Sequence, residues 1–394
     1  GSPIIVGGNI YTYSGTTIMK VDKETGLILK TAKMVGGSSF AINSPTYADG
    51  MIFIGLSNGR VQAFNAETLD SLWVYTDKLG GQPNCPIAYC DGYIYTGFWN
   101  SETKQANFAR ISVTDEDVTQ AEEAKLATWT YTHNGFYWAG AYACKDYVLV
   151  TTDDGADGYT TGHGSVLSLN PKTGVKIDEV VVDNVGDLRS SICYDSETGA
   201  YYFTSKGGDM YQIRTNEDGT FVENSLKRLH LNNGSTNNQT PPMSTSTPVI
   251  YKGRAYIGVS GTSQFGAYSG HNITVVDLES FTIAYSVPTK GYPQTSGLLT
   301  TAYEQESGCA YVYFFDNMTP GKLRVLRDRA GQTTPDYVTT EGGRTTAYAL
   351  FTPTGDQAQY AICSPITDEY GTVYFKNDSA RLMAYGSAIE RLEI

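Results

Sequence analysis

Long apolar runs are missing from this chain. No stretch approaches the roughly 18 residues that a membrane-crossing helix needs, so no helical membrane span is expected. Basic clusters are missing too: 28 Lys and Arg stand against 41 Asp and Glu, for a net charge of −13. Nothing here could grip a phosphate backbone, which removes nucleic acid as a partner. Histidine is scarce, with His133, His163, His230 and His271 too scattered for a metal set. His163 and His271 each enter a third strand of the repeat described below. Polar hairpin contacts account for them more simply than a ligand pair does. The chain also lacks a G-x-S-x-G elbow, an H-E-x-x-H helix and a phosphate loop ending in Gly-Lys-Ser/Thr.

The six cysteines, Cys85, Cys90, Cys144, Cys193, Cys309 and Cys363, include no C-x-x-C and no adjacent pair. Cys85 and Cys90 read as residues five apart on one strand, facing opposite sides and unable to bond to each other. Buried thiols behaving as small hydrophobes are the expectation, rather than disulfides or metal ligands.

What is abundant is strand-and-turn material: 30 Tyr, 42 Gly, and many Thr and Val. The clearest unit runs from Ser44 to Tyr75. It reads as strands Ser44 to Ala48, Met51 to Leu56, Val61 to Asn65 and Leu72 to Tyr75. Asn58-Gly59 marks a type I′ hairpin, whose two central residues both need positive φ. The turn closing the first strand recurs at Gly8, Gly50, Gly92, Asp146, Gly199, Gly253, Gly308 and Gly371. Eight such units average about 49 residues, the size of a four-stranded propeller blade. The expected fold is therefore all-β, a closed eight-bladed β-propeller over residues 1–394, with seven blades as the alternative count. Ile389 to Ile394 would close the eighth unit beside the first.

Three irregularities stand out. Unit three carries an acidic linker before Trp129, which aligns with Trp73 on an outermost strand. Unit seven carries an insertion from Ala330 to Thr345. Asx-type turns recur at Asp22, Asn65, Asn170 and Asp277, where the side chain can bind amides two residues on, so these acids need no further function.

The pattern G-x-V-x-A-x-[D/N]-x-x-T-x-x-x-x-W, carried by Gly59, Val61, Ala63, Asn65, Thr68 and Trp73, resembles the repeat of pyrroloquinoline-quinone-type (quinoprotein alcohol dehydrogenase-like) β-propellers. Units one, two, four and eight match well. That resemblance implies fold more than activity. Enzymes of the family hold a quinone between a Trp and a ring of adjacent disulfide-bonded cysteines, with a calcium ion and a carboxylate base. This chain has no Cys-Cys pair and no acid-plus-Asn set matching those calcium ligands, so no quinone is expected. Non-catalytic members, such as the outer-membrane assembly lipoprotein and surface proteins of gut bacteria, are the better likeness. A bacterial protein, secreted or displayed on the cell surface, is the reading that follows, and the start at Gly1-Ser2-Pro3, already in a strand pattern, reads as a domain of something larger.

Two candidate sites remain. Asp153-Asp154-Gly155-Ala156-Asp157-Gly158 is part of a calcium loop, with glycine where two ligands belong; Asp153, Asp154 and Asp157 are weak metal candidates beside an ordinary hairpin reading. The stronger candidate is a face. In a propeller, the blade-to-blade connections and the hairpins between second and third strands emerge together around the channel mouth. Connections supply Phe136, Tyr137, Trp138, Arg189, Asn238, Tyr292 and Gln294, and hairpins supply Trp99, Tyr159 and Phe265 to Tyr268. Rings beside amides and a guanidinium suit stacking on a sugar or gripping a peptide. Trp99, Tyr137, Trp138 and Tyr292 would stack, while Arg189, Asn238 and Gln294 would orient a protein or glycan partner. Packing beneath neighbouring loops is the bland alternative for each ring. An enzyme, either a degenerate quinone-dependent oxidoreductase or a polysaccharide-cleaving propeller, is the rival function, and a plain spacer is the third.

Overall fold

The structure, a computed structural model, describes residues 1–38, 43–157, 162–183, 185–231, 242–261 and 269–386. Eight small antiparallel sheets follow one another along the chain. The second unit has strands Thr46–Ala48, Met51–Leu56, Arg60–Asn65 and Ser71–Thr76, within a residue or two of the sequence reading. Its hairpin turns at Asn58 (φ 64°) and Gly59 (φ 68°), as a type I′ turn requires. The Asx turns also form: Asp22 Oδ1 accepts from the amides of Glu24 and Thr25, and Asn65 Oδ1 from those of Glu67 and Thr68. The one α-helix among the described residues is four residues long, Glu304–Ser307.

Each sheet has one face against the previous sheet and one against the next, and the core is divided accordingly. Eight apolar clusters fill the eight junctions between neighbouring blades. Trp73 illustrates the design: fully buried on the outermost strand of blade 2, it tilts against Phe53 and donates Nε1–H to the Val113 carbonyl of blade 3 at 3.2 Å. Ring burial against a neighbouring sheet is what a lone four-stranded sheet cannot achieve, so closure supplies the stability. Blades 1 and 8 close the ring through Ile10, Val21 and Tyr374, the Lys23–Glu369 ion pair (2.8 Å), and the Ser364 amide on Ser2 Oγ (2.8 Å). Blade 8 has three described strands; the fourth, expected at Ile389 to Ile394, lies outside the described residues.

The irregularities resolve into added strands. The acidic linker of blade 3 sends Glu123–Lys125 back to pair in parallel with Ser71–Thr76 of blade 2, covering that blade's open edge. The insertion in blade 7 forms the hairpin Val338–Glu341 with Arg344–Phe351, the latter continuing as the fourth strand of that blade. Sequence alternation does not reveal either: Val338–Glu341 has no fully buried residue, and the two buried residues of Glu123–Lys125 are charged. The cysteines are all free. Cys85, Cys309 and Cys363 are buried as expected, but Cys90, Cys144 and Cys193 are only half-buried, and Cys85 lies ahead of the strand Ala88–Cys90 rather than on it.

Candidate binding face at the channel mouth

First strands of neighbouring blades contact one another, so these strands are innermost. The residues just ahead of them therefore converge at one end of the channel. They enclose a cavity of about 230 Å³ to which every blade contributes: Ser2, Thr46, Ile87, Trp138, Ser191, Thr247, Gln294 and Ser364 each come from a different one. Of its fifteen lining residues nine are Ser or Thr, and none carries an ionisable side chain. The cavity therefore offers neutral hydrogen bonds and one indole.

The hydroxyls also belt the ring together. Thr46 Oγ1 donates to the Ile87 carbonyl, Ser191 Oγ accepts from the Gly140 amide, and Thr247 Oγ1 accepts from the Ser191 amide. Ser296 Oγ donates to Thr247 O, Thr295 Oγ1 to Cys363 O, and Ser2 Oγ accepts from the Ser364 amide. Each bond crosses from one blade to the next. The sequence holds a trace of this belt in the recurring pairs Ser2-Pro3, Ser44-Pro45, Thr247-Pro248 and Ser364-Pro365. Asn43 Nδ2, buried at the cavity wall, has no hydrogen-bond partner among the described residues.

Trp138 is the one aromatic side chain in the lining, half-buried, and held at φ 58°. A bulky residue in the left-handed region carries strain of about 1–2 kcal/mol. Its amide is fixed on the Asn84 carbonyl at 2.9 Å, and its ring leans on Tyr137 at 4.5 Å between centroids. Tyr137 in turn tilts against Trp99 (4.9 Å), which lies over Gly135 so closely that a Cβ there would sit 2.4 Å from Trp99 Cδ1.

Behind this aromatic row is a buried charge cluster. Arg189 bonds both oxygens of Asp153 (2.9 and 2.7 Å) and Glu102 (2.8 Å), and pairs with Asp187 (3.1 Å). Trp99 Nε1–H donates to Asp153 at 2.8 Å, and Lys206 Nζ to Asp187 at 2.8 Å. The guanidinium sits 4.9 Å from the Tyr137 ring centre. Burial pushes the Asp153 carboxyl up to about 7 although Arg189 opposes it, and pushes Asp154 to about 6 with help from the neighbouring Asp187 charge. At Asp187 burial is outweighed by Arg189 and Lys206, which hold it below the ordinary carboxylate range. Four acids share two bases, and burial beside the Asp187 charge is what raises Asp153 and Asp154.

The sequence-derived site residues thus separate. Trp138 and Gln294 line the cavity; Tyr137 and Trp99 support Trp138 from beneath. Phe136 is fully buried against Phe108, in the junction of blades 3 and 4, and offers no surface to a ligand. Arg189 is 6% exposed and its fork is spent on carboxylates, so it orients the protein's own loops. Tyr292 is 2% exposed, its hydroxyl accepting the Thr245 amide at 2.9 Å. Asn238, Tyr159 and Phe265 to Tyr268 lie outside the described residues. Glu102, Lys206 and Asn84 complete the cluster and were not legible beforehand, because nothing in their spacing predicts that three loops meet.

Asp153, Asp154 and Asp157 do not converge on a metal position. Among the described residues the one group of three ligand atoms within 4.8 Å of one another is Glu102, Asp153 and Asp187, and Arg189 supplies its positive charge. Asp157 is exposed and outside it. His163 pairs with Asp183 at 3.1 Å, whereas His271 Nδ1 lies 2.9 Å from Ser260 Oγ. A quinone site of the kind the resemblance implies does not fit these residues: the six cysteines are free and none are adjacent, and no carboxylate among the described residues lines the cavity.

Comparison with known proteins agrees with this architecture. Residues 1–98 match the family described as outer membrane protein assembly factor BamB. No curated protein matches the sequence. Among solved structures, BamB from Moraxella catarrhalis is 11% identical with a TM-score of 0.62, over 99% of this chain and 95% of that one. The quinohemoprotein alcohol dehydrogenase ADHIIG from Pseudomonas putida HK5 is 12% identical with a TM-score of 0.65, over 95% of this chain and 69% of that one. The corresponding enzyme from Comamonas testosteroni gives 12% and 0.61, over 94% and 69%. The first two blades therefore carry the BamB-like repeat of the pyrroloquinoline-quinone-type propellers, and the chain as a whole has the eight-bladed fold that those proteins share.

Proposed function

We propose that this protein is a non-catalytic recognition or scaffolding module that takes a segment of a protein or glycan partner at the channel mouth, on the blade-connection face. The observation that carries the reading is the composition of the cavity. Fifteen lining residues without an acid, a base or a thiol give no group to transfer a proton or to activate one of the hydroxyls as a nucleophile. One indole and a ring of hydroxyls give area and direction, which is what recognition needs. Trp138 stacks on the ligand, and Asn43 Nδ2 and Gln294 orient it. The strain at Trp138 supports the same reading, since a left-handed bulky residue is retained where its placement matters. Likeness to an outer membrane protein assembly factor favours a protein partner and a place of work outside the bacterial cytoplasm.

Peptide and glycan arrays probed with the pure chain test this. Binding to one class, weakened by roughly 2 kcal/mol or more in Trp138→Ala, is the expected result. Blank arrays would instead fit a spacer, and unchanged affinity in the variant would move the site elsewhere. For the enzymatic alternative, dye reduction after adding the quinone with calcium is the discriminating assay, and none is expected.

A further inference from the structure

A second cavity, of about 430 Å³, opens on the outer rim of the same face, where blade 6 meets the inserted hairpin of blade 7. It lies between the start of Ser269–Asp277, the end of Thr282–Pro288 and the start of Arg344–Phe351. Its polar lining includes His271, Asn272, Thr289, Lys290, Arg344 and Thr346.

The charge balance here departs from that of the chain. Asp316 and Glu341, the acids beside this junction, are already neutralised: Arg324 Nε lies 2.7 Å from Asp316 and Nη1 3.1 Å from Glu341, and Lys322 Nζ lies 2.8 Å from Glu341. Lys290 and Arg344 are exposed, and neither forms an ion pair among the described residues. Two cations without an ion-pair partner among the described residues thus flank one cleft of a protein whose net charge is −13. A separate observation concerns the wall of the same cleft. Thr346 is 2% exposed, and its Oγ1 has no hydrogen-bond partner among the described residues. A buried hydroxyl left unpaired is costly, and an oxygen-rich ligand would satisfy it.

We propose that this rim cleft binds an oxyanion group, a carboxylate or a phosphate carried by a small acidic ligand, with Lys290 and Arg344 supplying charge and Thr346 Oγ1 a directed hydrogen bond. The Arg344 fork suits two oxygens of one group, and Lys290 acts as a point charge beside it. The site stands apart from the channel mouth and does not depend on what binds there.

Isothermal titration of the full chain at low salt, with inorganic phosphate and separately with glucuronate, tests the proposal. Saturable one-to-one binding of either is expected: phosphate alone identifies a phosphate ligand, glucuronate alone a carboxylate, and both the shared oxyanion chemistry. Lys290→Gln combined with Arg344→Gln should weaken binding by roughly tenfold or more. Thr346→Val should weaken it by about threefold while leaving the melting temperature unchanged or raised, because it removes an unpaired buried hydroxyl. Absence of binding for both anions overturns the proposal. So does full affinity in the double variant, both of whose positions are exposed enough to leave the fold intact.

Discussion

Arg189→Gln is the sharpest perturbation of the charge cluster behind the channel mouth. It removes the one guanidinium that faces three carboxylates and leaves Asp153 and Asp187, both fully buried, with Lys206 as their only nearby cation among the described residues. Breaking a buried pair by removing one partner costs about 3–5 kcal/mol. Loss of the stacking on Tyr137 and Trp99 adds about 1 kcal/mol. Urea unfolding followed by circular dichroism at pH 8 should therefore show a loss of about 4 kcal/mol or more. The loss should shrink on acidification, because Asp153 and Asp187 without Arg189 take up protons and cease to repel. Equal stability of variant and parent at pH 8 would refute the account. So would recovery of the lost stability by millimolar calcium, which would mean that the carboxylates form a cation cage with Arg189 as its lid.

Other expectations follow from the same structure. Asp153 and Asp154, raised to about 7 and about 6, bind protons more tightly in the folded than in the unfolded chain. Their sign makes stability rise as pH falls from 8 towards 5. Below about 4 the depressed Asp187 reverses the trend, so a maximum between about pH 4 and 5 is expected in a melting-temperature series and a monotonic fall from pH 8 would contradict it. Trp99→Phe loses the bond to Asp153 and should cost about 1–2 kcal/mol in urea unfolding. Asp328→Asn removes a buried carboxylate of blade 7 that receives Arg254, Tyr256 and Tyr285 of blade 6, and should cost about 3 kcal/mol or more by the same measurement. Asn58→Ala forces an alanine into the left-handed position of a type I′ turn, at about 1 kcal/mol.

The blades were legible in the sequence because each is a local pattern. Met51–Leu56 and Arg60–Asn65 declare themselves through Asn58-Gly59, and Asp22 and Asn65 through the amides two and three residues on. The face was legible only as a set of loops, since propeller geometry alone says which ends meet. What escaped is what depends on three loops at once. Phe136, Tyr137 and Trp138 are neighbours in sequence, yet one is core, one is a support and one lines the cavity. Arg189 read as an exposed loop cation, and only the arrival of Asp153 and Glu102 from two other hairpins turns it into a buried one. The strand Glu123–Lys125 escaped for a related reason: its partner is the edge of another blade, some 50 residues earlier.

Hydrogen–deuterium exchange of the full chain, with and without the tightest binder found on the arrays, tests the central claim most directly. Protection is expected in the segments ahead of the inner strands, around Thr46, Ile87, Trp138, Ser191, Thr247 and Gln294, on several blades at once. Protection confined to the opposite face, or to the outer edge of a single blade, would contradict it.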